Sequence, residues 1–397
     1  MIALAGFLLV RRSLGANVDF TCGPTCRWGD YSGATPDPLE LGGEALRRRS
    51  ARMAFRAGWT AVACILMRLT FRLAVPGLGL AALMALTTGT ALAHGIAAPE
   101  PTLLSALTTW SVDPVPLTAA LLSAGAYLIA VRRVNGTHPR VPIPRWRVLA
   151  WLAGLAAILV ALVSAVDVYA ETFLTVHMVQ HLLLAMVAPP LLALGAPVTL
   201  LLRIATPRVR QRVVLPVLHS RVVRLIASPL VAWPLFAIVM WLTHFSPLYN
   251  AALEDRNLHV AEHAVYLAAG LLFWWPVVAA DPIPRRMGYG ARLAYVGLQM
   301  PVNAAVGLAI YFAPSVLYPH YATIQRSWGP NALTDQQIGG VLMWGVGDLL
   351  LLAVVPALIA VWMRADARRS VRSDARLLAS LAAESAGRAA DEPTPSS

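Results

Sequence analysis

The chain has 397 residues, 58% of them hydrophobic and 13% charged, with a mean hydropathy of +0.63. Soluble domains carry about twice that charge fraction, so the composition excludes an ordinary soluble protein and points to a bilayer. The net charge of +12 would suit nucleic acid, but the 32 basic residues, all arginine, flank apolar runs where they set membrane topology; nucleic-acid binding is therefore excluded as well.

In chain order, the apolar run at 2–10 is too short to span a membrane. Cys22, Cys26 and Cys64 all lie in the first 64 residues, and the C-x3-C spacing of the first two is a weak metal or redox signal. No thiolate site is available in the remainder of the chain. Residues 67–93 place Arg68 and Arg72 before an apolar stretch that ends in Ala91-Leu92-Ala93, a small-x-small cleavage pattern. This reads as a signal peptide, with an uncleaved anchor helix as the alternative. The polar leader 1–66 is then expected to fall outside the native protein, with Met53 or Met67 as the start. Cleavage after Ala93 would make His94 the mature N-terminus, where amine and imidazole together suit copper.

Seven apolar runs follow, at roughly 116–131, 148–166, 173–202, 225–245, 258–280, 292–313 and 337–363. They predict an all-α polytopic bundle of seven core transmembrane helices, with a membrane domain over 94–366 and a cytoplasmic tail over 367–397. The tail reads as helical to about 384 and disordered beyond. Pro189 and Pro190 predict a kink or a partly re-entrant stretch in the third run. Arginine placement sets the orientation. Five arginines follow the first span, six the third, three the fifth and six the seventh, whereas the opposite loops hold only Arg256 and Arg326. The positive-inside rule then puts the N-terminal end of the bundle outside a bacterial plasma (inner) membrane and the C-terminus in the cytoplasm. Trp241 and Trp328 near the outer face, and Trp151, Trp274, Trp275 and Trp362 near the inner face, are expected to form aromatic belts.

Histidine placement carries the chemistry. His177 and His181 (HMVQH) open the third span, His259 and His263 (HVAEH) open the fifth, and His244 ends the fourth, all at the outer face. His138 and His219 fall in inner loops and His320 in an outer loop. Residues four apart share a helix face, so each pair can grip one metal ion and a second helix can complete the shell. Glu262 can orient a neighbouring ligand imidazole. Zincin proteolysis needs Glu directly after the first histidine, where this chain has Met178 and Val260. Membrane di-iron hydroxylases need more histidines, with a His-His doublet, on the cytoplasmic side. Haem held by histidines of different helices stays open. Copper fits best, given an oxidising compartment, imidazole ligands and nearby thioethers at Met178, Met186, Met300 and Met343. Asp348, Asn303 and Gln299 are the polar residues deep in spans that a copper transport or resistance protein would require; hydrogen bonding between helices is the alternative.

The segment HMVQHLLLAMVAPPLLALGAPVTLLLR resembles the signature of the CtaG-type cytochrome c oxidase assembly factors. WLTHFSPLYNAAL, LHVAEHAVYLAAGLLFWWPV and DQQIGGVLMW follow in that family's order, so the resemblance covers roughly residues 94–366. It implies a seven-span, non-enzymatic membrane protein needed to make active haem–copper oxidase and linked to copper delivery. Its expected partners are the oxidase catalytic subunit, periplasmic copper chaperones and membrane lipid. Carried over by position, the family's histidines fall on His177, His181, His244, His259 and His263. Its acidic-Gln-Gln and Met-Trp elements fall on Asp335, Gln336, Gln337, Met343 and Trp344. The long leader before Met67 departs from the family pattern.

Overall fold

The computed structural model describes residues 100, 102, 108–111, 113–282 and 286–391. The leader, its three cysteines, the cleavage site and His94 lie outside the described residues. Those described are mostly helical, with no β-strand among them. Helix α1 spans Pro114–Thr137, where Asp113 accepts from the Val115 N–H and Pro114 opens the first turn. Helix α2 spans Arg145–Val163 and α3 Leu174–Ile204. Helix α4, Pro229–His244, is followed across Phe245-Ser246 by Pro247–Glu254, bent away by 69°. Helix α5, Arg256–Val278, is capped by Asp255, which accepts from the Asn257 and Leu258 N–H groups. Helix α6 is Tyr289–Tyr311 and α7 is Ala332–Asp391. Six of these are long and apolar enough to cross a bilayer, and α4 with its bent partner brings the total to seven.

The prolines of α3 produce a wide turn. Residues Leu183–Val187 form a π-helical turn, with the Ala188 N–H reaching the Leu183 carbonyl. Pro189 has no N–H to offer the carbonyl of Ala185, four residues back. The Trp274 indole of α5 donates to that carbonyl instead, at 3.1 Å. Gly270, one turn before Trp274, lets the two backbones meet there. A Cβ at Gly270 would stand 2.7 Å from the Ala185 oxygen. The helices bearing HMVQH and HVAEH are therefore locked together about one turn from His181. Trp274 is 1% exposed, so it is a core residue rather than part of an aromatic belt; Trp241 and Trp362, each 40% exposed, suit one.

Helices α6 and α7 meet through a second pair of small residues. A Cβ at Gly307 would lie 2.6 Å from the Gly340 oxygen, and one at Gly340 2.7 Å from the Gly307 oxygen. Along the same seam Asn303 donates to the Met343 carbonyl at 3.1 Å and to Asp348 at 3.0 Å. Asn303 and Asp348 thus bond between helices. Helix α7 runs unbroken for 60 residues, through the boundary drawn between span and tail, and continues past 384, the expected end of the helix, to Asp391. No glycine or proline interrupts the Ala-, Leu- and Arg-rich run between Pro356 and Gly387.

Between α3 and α4 the chain forms short helical turns at Pro207–Val209, Leu215–Leu218 and Arg221–Ile226, none with a buried residue. Val217, Val222 and Leu225 there are all more than half exposed. Alternating arginines and exposed aliphatics are the composition of an interfacial helix. At the other end, the two arginines that break the loop asymmetry are both paired. Arg256 meets Asp113 at 2.8 Å and Arg326 meets Asp335 at 3.2 Å.

Candidate metal centre

The histidine site begins with the start of α3. The carboxylate of Asp335, in the first turn of α7, accepts from the Leu174 N–H at 2.8 Å and the Thr175 N–H at 3.1 Å. The Thr175 hydroxyl returns a bond to the Asp335 carbonyl at 3.0 Å. Asp335 thus caps a helix about 160 residues away in sequence, fixing where HMVQH begins. Gln336 holds the incoming loop, accepting from the Leu317 N–H at 2.7 Å. Both residues position the site from outside. Met343 is buried in the core near the α6–α7 seam, and Asp348 lies further along that seam, where it accepts from Asn303.

The imidazoles meet as the i, i+4 spacing requires. His177 Nε2 and His181 Nε2 are 2.8 Å apart. The His259 and His263 ring centroids are 4.2 Å apart, and His259 stacks on His177 at 5.3 Å. Ligand atoms of His177, His181 and His263 lie within 4.8 Å of one another, and so do those of His177, His259 and Glu262. His177 is common to both groups. A Glu262 carboxylate oxygen thus lies among the imidazole nitrogens of the second group, one turn after His259. His244 sits beside His181, with ring centroids 5.7 Å apart, but outside both tight groups.

Hydrogen bonds to backbone carbonyls assign two tautomers. The Tyr321 hydroxyl donates to the Ala170 carbonyl at 2.9 Å, so its oxygen accepts from His177 Nδ1–H at 3.0 Å. Burial pushes the Tyr321 phenol well above its ordinary range, which keeps that proton in place. His177 is left with a bare Nε2 aimed at the cluster. His244 Nδ1 donates to the Met240 carbonyl at 2.7 Å, leaving its Nε2 bare also. His177 Nε2 faces His181 Nε2 and His244 Nε2 has no partner in the protein; an imidazole held through one nitrogen, with the other unprotonated, is the arrangement of a metal ligand.

Around these rings stand aromatic side chains that the sequence reading did not single out. Tyr266 stacks on His181 at 4.1 Å. Tyr249 lies within 6.0 Å of His177, His181 and His244. Tyr318 packs on Tyr249 at 4.4 Å and donates to the His244 carbonyl. No periodic pattern marks them, because they come from three separate segments. Several buried polar atoms of the cluster have no hydrogen-bond partner in the protein: His181 Nδ1, His244 Nε2, His259 Nε2, His263 Nε2 and Glu262 Oε2. Leaving one such group unsatisfied costs about 1–3 kcal/mol, so several in one buried cluster call for a ligand. Nitrogen donors with one carboxylate, and no arginine among them, fit a first-row metal cation such as copper or zinc.

The family described as cytochrome c oxidase caa3 assembly factor (Caa3_CtaG) matches residues 125–365. The uncharacterized protein Mb0105 of Mycobacterium bovis is 31% identical over 284 residues, 69% of this chain and 42% of that protein. The uncharacterized protein ML1998 of Mycobacterium leprae is 32% identical over 285 residues, again 69% of this chain and 42% of the relative. The chain thus spans about two fifths of the length of the curated relatives it matches. No solved structure matches it significantly. With more than half of its residues aligned and all four histidine-bearing and acidic-Gln-Gln segments inside the match, the chain belongs to the cytochrome c oxidase caa3 assembly factor family.

Proposed function

We propose that this chain is a non-enzymatic assembly factor that holds copper at the exported face of a bacterial plasma membrane and supports maturation of a haem–copper oxidase. The copper would be received from periplasmic chaperones and passed to the oxidase catalytic subunit. One observation carries the reading: bare or unpartnered donor atoms of His177, His181, His259, His263 and Glu262 converge from two helices inside one buried site. Imidazole-rich ligation favours copper over other common divalent metals. His177, His181 and His263 would form the primary ligands, with His259 and Glu262 completing or relaying and His244 one ring away. Haem is the weaker reading. It would need two imidazoles facing across a macrocycle, whereas His177 and His181 point their Nε2 atoms at each other from adjacent turns of one helix.

Metal analysis of the protein purified without added metal tests the proposal. The wild type should carry copper near one per chain, and His177→Ala/His263→Ala should carry little while still inserting in the membrane. A quadruple variant at His177, His181, His259 and His263 that keeps its copper and supports a fully active oxidase would overturn it. Reporter fusions test the orientation: those after Arg147 and Arg212 should report cytoplasm and one near Asn250 the exported side. A cytoplasmic signal at Asn250 would put the histidines in the wrong compartment.

A further inference from the structure

At the end of the bundle opposite the histidines, four segments converge on an open cleft of about 860 Å³. His138 caps the end of α1, Arg147 lies in the first turn of α2, Arg203 ends α3, and Arg210 opens the connection beyond. Among the described residues no carboxylate lines the cleft. Asp281, next to Pro282 at its edge, is buried, and its oxygens already accept from the Val198 and Thr199 N–H groups and the Thr199 hydroxyl. Arg203 donates to the Val141 carbonyl. Arg147 Nε is buried with no hydrogen-bond partner in the protein. Among the described residues no ion pair joins Arg147, Arg203 or Arg210 to an acid. Three guanidinium groups without a paired acid line one cleft, and such a lining suits a phosphate-class anion, which arginine engages with two parallel N–H bonds.

The surroundings decide between a free phosphate and one carried by a lipid. Leu202 and Leu215 share the cleft with the arginines, and Leu201 and Val217 beside it are exposed. The turns between α3 and α4 bury no side chain and leave Val217, Val222 and Leu225 uncovered. A free phosphate has no use for aliphatic walls, whereas a phospholipid brings two acyl chains to cover them. Arginine-lined pockets between membrane helices suit anionic headgroups. We infer that this cleft binds the phosphodiester headgroup of an anionic phospholipid, seating the α2 start, the α3 end and the interfacial turns on the membrane surface. The inference does not depend on the metal reading.

Native mass spectrometry of the full chain in non-ionic detergent, with phosphatidylglycerol or phosphatidylcholine added, tests it. The wild type should retain about one phosphatidylglycerol per chain, in preference to phosphatidylcholine, and millimolar inorganic phosphate should not displace it. Each arginine near an anionic surface contributes about fivefold in affinity. Arg147→Gln/Arg203→Gln/Arg210→Gln should therefore weaken retention by one to two orders of magnitude. The matching Lys triple variant, which keeps the charge, should retain most of it. Arg368→Gln/Arg369→Gln/Arg372→Gln, which removes equal charge from the exposed end of α7, should bind like the wild type. Equal retention of both lipids by the wild type would overturn the proposal. So would undiminished binding by the cleft variant, equal loss in the α7 variant, or displacement by inorganic phosphate.

Discussion

At the histidine end of the bundle, Asp335 accepts from the first two N–H groups of α3, at 2.8 and 3.1 Å. Near the opposite end, Asp281 does the same where α3, interrupted at Gly195-Ala196, resumes at Pro197, accepting from Val198 and Thr199 at 3.1 and 2.6 Å. Both acids come from distant chain, and both supply the negative charge that a helix N-terminus favours. What surrounds them differs. Asp281 is bonded to α3 alone and finishes the packing there. Asp335 is also paired with Arg326, whose guanidinium lies over the Phe173 ring and donates to the Pro330 and Tyr321 carbonyls. Its network reaches Tyr321 and, through Tyr321, His177. The same capping device is local in one place and coupled to a cluster of unsatisfied donors in the other. Position relative to that cluster, rather than burial or charge alone, separates a carboxylate that only builds the fold from one that also sets the site.

The largest expected effect tests that coupling. Asp335→Ala removes the cap and leaves the Arg326 guanidinium buried without its acid, a loss of about 3–5 kcal/mol. Asp281→Ala removes a cap alone and should cost about 2 kcal/mol. Denaturant unfolding in detergent compares the two, and copper content should fall only for Asp335→Ala. If Asp281→Ala empties the site equally, the two ends are not separable.

Gly270→Ala drives a methyl toward the Ala185 oxygen at 2.7 Å and must push α5 from α3. We expect a stability loss of about 1–3 kcal/mol together with weaker metal binding. Gly125→Ala, in open space on α1, should be neutral or stabilising and serves as the comparison. Unfolding midpoints and metal titration distinguish them; equal behaviour would mean that the close approach does not hold the two histidine pairs in register.

Tyr321→Phe deletes the hydroxyl that fixes the His177 tautomer. Metal affinity should drop about 10–100-fold, with far less effect on unfolding. Tyr295→Phe, whose hydroxyl has no hydrogen-bond partner in the protein, should leave metal affinity unchanged. Isothermal titration of the metal-stripped protein measures both, and unaltered affinity in Tyr321→Phe would remove Tyr321 from the site.

The smallest effect concerns Asp167, in the short helix Ala165–Ala170 between α2 and α3. Burial pushes its carboxyl up to about 6, against the opposing hydrogen bond from Ser111. A raised carboxyl pKa means that the folded state holds the proton more tightly than the unfolded chain. Its contribution is therefore complete below about pH 4 and is lost as pH rises to about 6. Thermal unfolding at closely spaced pH values should show that decline in the wild type and a flatter profile in Asp167→Asn. An identical decline in the variant would assign the proton elsewhere.

The sequence by itself determined the helical membrane architecture, because lipid leaves the backbone no other partners and each span must be written as an apolar run. It also placed the histidine pairs, since i, i+4 spacing fixes a shared helix face before any packing occurs. Tertiary structure alone decided the remainder. It brought a Glu262 carboxylate oxygen within 4.8 Å of His177 and His259 nitrogens and left His244 one ring away. Asp335 became the cap of a helix about 160 residues distant, Trp274 the partner of a carbonyl that Pro189 cannot serve, and four dispersed tyrosines the wall of the site. Each of these roles joins groups on different helices, and no local period in a sequence records which faces will meet. The meeting is set by backbone approach at Gly270 and at Gly307–Gly340, where a missing Cβ lets helices close to contact.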